Sequence, residues 1–312
     1  MAAVTTGVTR GSGCRAWGLV AILSPVLLVS LPVVCAAEVA GVRAALVTDA
    51  GALVPARPLR LGVLFTMADG WHLYWRNSGD AGLPPEIRWE LPDGFVIGDL
   101  QWPAPERFSG PPVVGYGYGK EVLLSVSVTT PATLAGDAVT LGAQVDWLAC
   151  HDASVPGSGD LRIALPVAPA AHCDAAGRPD LFDRFALRLP TLPDGWQTSV
   201  AVGPQGFTLA IVPAAGAVPG GSTVLFFPDE PGMIADDVQA QTEDGVVRLR
   251  IGVPVTVGSQ RSLTRLSGVL SVTPADRNVL RMPAAYHVSA SIPVGDAGAS
   301  LPGDPNPRSP DP

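Results

Sequence analysis

The chain has 312 residues, 47% of them apolar and 15% charged, and a net charge of -8. The apolar share supports a sizeable core in one large or two ordinary domains, while an acidic balance without Lys/Arg clusters excludes nucleic acid as a partner. The 35 glycines and 32 prolines run throughout the chain and favour many short strands and turns over long helices.

Residues 1–37 read as an export signal. Arg10 and Arg15 form a basic start, and residues 18–34 are apolar but broken by Pro25 and Pro32. Cys35, Ala36 and Ala37 offer small residues for a cut before Glu38. The competing reading is an uncleaved anchor, at the short end for a spanning helix. No later segment has the apolar length of a membrane span. The expected mature protein is exported to an oxidising compartment. Cys14 and Cys35 leave with the signal, so Cys150 and Cys173 remain.

Two strands, 42–48 and 59–66, come first, each with partial alternation of apolar residues. The aromatic and glycine-rich stretch 70–84 follows. Next come strand 87–92, a turn at Asp93-Gly94 and the segment 95–103. Residues 111–120, PPVVGYGYGK, read as a glycine-rich loop, with Tyr116 and Tyr118 as candidates for an exposed binding contact. Strands are predicted at 121–129, 139–150 and 161–168. Residues 169–181 are small, polar and proline-bearing and read as a linker, with a short helix over 181–188. Strand candidates resume at 196, 207, 223, 246, 263 and 286, punctuated by Gly, Pro, Asp and Asn. The prediction is all-β: two tandem antiparallel β-sandwiches, over 38–168 and 182–295, with a disordered tail over 296–312.

Chemistry-bearing residues are few. There is no G-x-S-x-G elbow and no H-E-x-x-H, and only His72, His151, His172 and His287 are available as histidines. Cys150 ends an apolar strand and precedes the loop HDASVPG, where a thiol can be accessible and the thiolate is the reactive form. His151 beside it would favour the thiolate and Asp152 would oppose it. The plain alternative is a buried or structurally bridged cysteine. A return strand over 161–168 brings Cys173 back toward Cys150, so a disulfide between them is open. Closing that loop would stabilise by about 3 kcal/mol in the chain-entropy model. Cys150-His151 and His172-Cys173 also form two Cys/His pairs suited to Cu or Zn. Adjacent strand residues point to opposite faces, however, so each pair would need a bend to converge.

Several segments resemble the periplasmic N-terminal region of the DsbD/ScsB thiol:disulfide interchange proteins. They are GWHLYWRNSGDAGLPPEIRWELPDGFV (70–96), QWPAPERFS (101–109), GYGYGKEVLLS (115–125) and VDWLACH (145–151). VLFFPDEPGMIA (224–235), SGVLSVT (267–273) and YHVSAS (286–291) are similar in the second unit. The resemblance implies an immunoglobulin-like first domain with a redox cysteine pair. Its partners would be a membrane-embedded thiol reductase, which supplies electrons, and periplasmic thioredoxin-like proteins, which receive them. No cofactor is implied. In ScsB-like members the pair resembles C-x-x-x-C; here its first cysteine falls on Cys150 and its second on Ser154, which forms no disulfide. Three readings stay open. Cys173 replaces the missing partner, Cys150 works alone through a mixed disulfide, or the chain is a non-redox binding module or copper-binding protein.

Overall fold

A computed structural model describes residues 36–110, 113–169, 177–203, 206–231, 234–235, 241–243, 246–252, 264–275 and 284–292. The expected signal up to Cys35, most of the linker with Cys173, and the tail lie outside these residues. The strands are β1 (Ala36–Val39), β2 (Val42–Thr48), β3 (Pro58–Met67), β4 (His72–Gly79), β5 (Glu86–Glu90), β6 (Val96–Ile97), β7 (Glu106–Gly110), β8 (Val113–Gly119), β9 (Glu121–Thr129), β10 (Ala138–Cys150) and β11 (Ser154–Pro166). Helix α1 (Pro179–Ala186) follows. Then come β12 (Gln197–Gly203), β13 (Gly206–Val212), β14 (Thr223–Pro228), β15 (Ile234–Ala235), β16 (Gln241–Glu243), β17 (Val246–Gly252), β18 (Arg265–Thr273) and β19 (Ala284–Ser291).

The fold is all-β, two antiparallel immunoglobulin-like sandwiches. In the first, the sheet β1-β2-β3-β9-β6 faces the sheet β11-β10-β4-β8-β7, with β5 also paired to β10. Period-2 alternation explains the core. Leu61, Val63 and Phe65 of β3 point inward with Val122, Leu124 and Val126 of β9, and meet Leu73, Trp75, Val145 and Trp147 of the facing sheet. β1 starts at Ala36, so the two alanines before the expected cut pair with Ala45 and Ala44 of β2.

The opposite residues of the first sheet, Val47, Leu64 and Leu123, are covered by Leu181, Phe182 and Phe185 of α1. Those apolar residues fall on one helical face, Pro179 opens the helix, and Asp180 occupies its first turn, where the helix dipole favours an acid. Arg60 bridges Asp49 at 2.7 Å and Asp183 at 2.8 Å, tying the helix to the sheet.

The second sandwich pairs β12-β13-β17-β15, with β16 on β17, against β14-β18-β19. The sheet β14-β18-β19 has two apolar faces. Val224, Phe226, Leu266, Leu270 and Val272 enter the second core. Phe227 and Val269, of opposite parity, enter the first. The Phe227 ring meets Trp75 at 6.2 Å and Tyr116 at 5.2 Å, both edge-on. Polar groups reinforce this contact. Asn77 donates through Nδ2 to the Pro228 carbonyl at 2.8 Å. Arg76 pairs with Asp229, which also bonds His287 Nε2 at 2.9 Å.

Candidate functional site

β10 and β11 form a hairpin in continuous register from Ala138↔Pro166 to Cys150↔Ser154. The turn is His151-Asp152-Ala153, in which the His151 N–H donates to the Ala153 carbonyl at 3.3 Å. Cys150 is also paired with His72 of β4, and His72 with Gly119 of β8. Residues opposite one another in a sheet project from the same face. Ser154, Cys150 and His72 therefore form one row at the end of the sheet, and Tyr74, two residues after His72, joins them. The adjacent row, Ala149, Leu73 and Tyr118, faces the core and is buried.

Cys150 carries a free, half-buried thiol, whose sulfur lies 3.8 Å from the His151 carbonyl. Burial, and then the neighbouring Cys150, push the Tyr74 phenol up to about 12, while Ser154 acts in the opposite direction. Burial, and then the charge of His151, hold the His72 imidazole below its ordinary range. His151 pairs with Asp152 at 2.9 Å and lies against Trp71, with ring centres 5.6 Å apart. The two neighbours in sequence thus bind each other, and the groups beside the thiol on its own face come from β4 instead.

The expected glycine-rich loop is corrected. Its described part is strand β8, and neither Tyr116 nor Tyr118 is an exposed contact: they are 1% and 0% exposed. G-Y-G-Y-G has the period of a strand, so both tyrosines face the core and the glycines take the other face. The Tyr118 hydroxyl donates to the Pro103 carbonyl at 2.8 Å. A side chain at Gly117 would meet the Leu73 carbonyl oxygen at 1.9 Å. With no side chains on that face of β8, His72 of β4 and Phe108 of β7 reach across the strand and stack, centres 4.5 Å apart. A cleft of about 420 Å³ opens beside them, lined by Asp69, Trp71, His72, Glu106, Phe108 and Lys120.

Of the residues expected to carry function, Cys150 is at this site and Ser154 faces it. Cys173 and His172 lie outside the described residues. Asp80 ties down the neighbouring loop, its Oδ2 accepting from the Val114 N–H at 2.7 Å. His72, Tyr74 and Phe108 were not singled out as partners of the thiol. The glycine alternation in β8 was the available signal, since it marks where flanking side chains can close over a strand. Among the described residues no group of three or more His, Cys, Asp and Glu is gathered to hold a metal ion. No helix among them is long and apolar enough to cross a membrane.

Residues 43–162 match the family described as thiol:disulfide interchange protein DsbD, N-terminal. The fold is similar to the N-terminal periplasmic domain of ScsB from Proteus mirabilis, at 18% identity and a TM-score of 0.59, over 82% of this chain and 94% of that one. A protein of unknown function from Porphyromonas gingivalis W83 aligns at 11% identity over 81% of this chain and 100% of its own, with a TM-score of 0.24. Spo0M, a sporulation control protein from Bacillus subtilis, aligns at 9% identity over 81% and 91%, with a TM-score of 0.22. No curated protein matches the chain. Residues 43–162 are a DsbD/ScsB N-terminal-like domain, related to thiol:disulfide interchange.

Proposed function

We propose that the chain is a periplasmic thiol:disulfide interchange module in which Cys150 exchanges alone, with Ser154 standing where a second cysteine would resolve the bond. The observation that carries this reading is the pairing of a free Cys150 thiol with Ser154 at the end of the β10–β11 hairpin. The Cys150 thiolate attacks one sulfur of a partner disulfide. A Cys150–partner disulfide forms, the partner's own S–S bond breaks, and its other sulfur leaves as a thiolate and takes a proton. Ser154 cannot then release the partner, so a second thiolate must come from the partner or from a further protein. The proposed partners are a membrane-embedded thiol reductase and periplasmic thioredoxin-like proteins. Residues 1–37 act as the export signal, and 38–168 and 182–295 as the two domains around the linker.

The test is a trap. The mature protein is incubated with an oxidised thioredoxin-like protein, and complexes are resolved without reductant. A mixed disulfide is expected with the natural chain and with Cys173→Ala, and none with Cys150→Ala. The same complex in Cys150→Ala would remove Cys150 from the mechanism. Thiol counting by mass spectrometry, with alkylation before and after reduction, completes the test. A reducible Cys150–Cys173 bond would give Cys173 the resolving role and overturn the single-thiol cycle.

A further inference from the structure

Away from the hairpin, a cleft of about 620 Å³ opens between α1, the start of β7 and the face of β14 and β18 that is turned toward the first sandwich. Its size suits a small molecule, for which sites of roughly 300–1,000 Å³ are usual. Three guanidinium groups line it, from Arg107, Arg184 and Arg188, against the carboxylates of Glu106 and Glu121. All three cations are arginines, whose planar forks match a carboxylate in a way that an ammonium does not.

The arginines are not equivalent. Arg184 is held by Glu121 at 2.9 Å. Arg188 has Glu106 at 3.9 Å, beyond hydrogen-bond reach, although its side chain is only 26% exposed. Both guanidinium groups lie 5.3 Å from the centre of the Phe185 ring, which braces them as cation–π partners. The facing wall follows from strand parity. β18 sends Leu270 and Val272 into the second core, so Ser271 and Thr273 present hydroxyls to the cleft beside Leu225.

We propose that this cleft binds a small organic carboxylate. Arg188 donates a bidentate pair to it in place of the loose Glu106 contact. The hydroxyls of Ser271 and Thr273 donate from the opposite wall, and the apolar body of the ligand rests on Pro105 and Leu225. This site is separate from Cys150 and does not depend on the redox reading.

Isothermal titration of the purified chain with benzoate, succinate and inorganic phosphate tests the assignment. Saturable binding of benzoate or succinate is expected, about tenfold weaker in Arg188→Gln, about threefold weaker in Ser271→Ala, and unchanged in Cys150→Ala. If Arg188→Gln melts early, Arg188→Lys carries the test, because it keeps the charge and loses the fork. No saturation by either carboxylate, or saturation by phosphate alone, would overturn the proposal. Equal carboxylate binding by the natural chain and the arginine variants would do so as well.

Discussion

The phenol of Tyr74 shares a face with the Cys150 thiol and the Ser154 hydroxyl, because β4, β10 and β11 bring these side chains to one side of the sheet. The rise of the Tyr74 phenol to about 12 keeps its proton in place throughout the neutral range. Removing its hydroxyl takes a polar neighbour from Cys150 without opening a large cavity. In Tyr74→Phe, alkylation of Cys150 by iodoacetamide at neutral pH is expected to slow by about fivefold, the worth of one polar contact of about 1 kcal/mol. An unchanged rate, with folding verified by thermal melting, would leave Tyr74 a packing residue only. Cys150 itself was legible in the sequence as a thiol at the end of a strand. Its surroundings were not, because His72 and Tyr74 lie more than seventy residues earlier and reach it only through strand pairing.

The β10–β11 hairpin was legible in part. An apolar run ending at Cys150 and a return strand were expected, but β11 begins at Ser154 and not at residue 161. Its first half, SVPGSGD, has the polar, Gly- and Pro-rich composition of a loop. It becomes strand because β10 supplies a continuous partner and β1 packs alongside. The register has a direct consequence. Facing residues of an antiparallel pair have Cα atoms roughly 4.5–5.5 Å apart, inside the window of about 4.4–6.8 Å that a disulfide needs. Ser154→Cys is therefore expected to form a reducible bond between Cys150 and the introduced thiol, detected by mass spectrometry of alkylated peptides. Two alkylated thiols at these positions under oxidising conditions would show that the hairpin end does not hold its sulfurs within reach. β8 failed in the same direction: its glycine content read as loop, while its period of two was that of a strand.

At the scale of the whole molecule, the sheet β14-β18-β19 is shared between two cores, and Asp229 sits where they meet. Burial alone would raise its pKa. The hydrogen bond with His287, the charge of Arg76 and a bond from Ser267 outweigh that and hold it below the usual carboxylate value. A carboxylate depressed in the folded state adds stability above its unfolded pKa, and that stability is lost as pH falls through the folded one. Asp229→Asn should thus cost about 2 kcal/mol at neutral pH. The gap from the natural chain should begin to narrow below the ordinary Asp value of 3.8 and close as pH falls through the lower folded value. Urea unfolding of both proteins at pH 7 and pH 3 measures this. An equal gap at both would assign the loss to packing and not to charge.

Composition and local periodicity were enough by themselves to determine an all-β chain with two runs of strands, a cysteine at a strand end and a serine four residues on. Those features depend on neighbours within a few positions, where alternation and turn residues act directly. Which groups surround the thiol, which face Tyr116 and Tyr118 take, and that Phe227 of the second run completes the core of the first were decided only by the tertiary structure. Each of these depends on register and on the parity of strands far apart in the chain, and a shift of one residue exchanges the two faces of a strand. That pairing energy is spread over many long-range contacts, and no short stretch of residues records it.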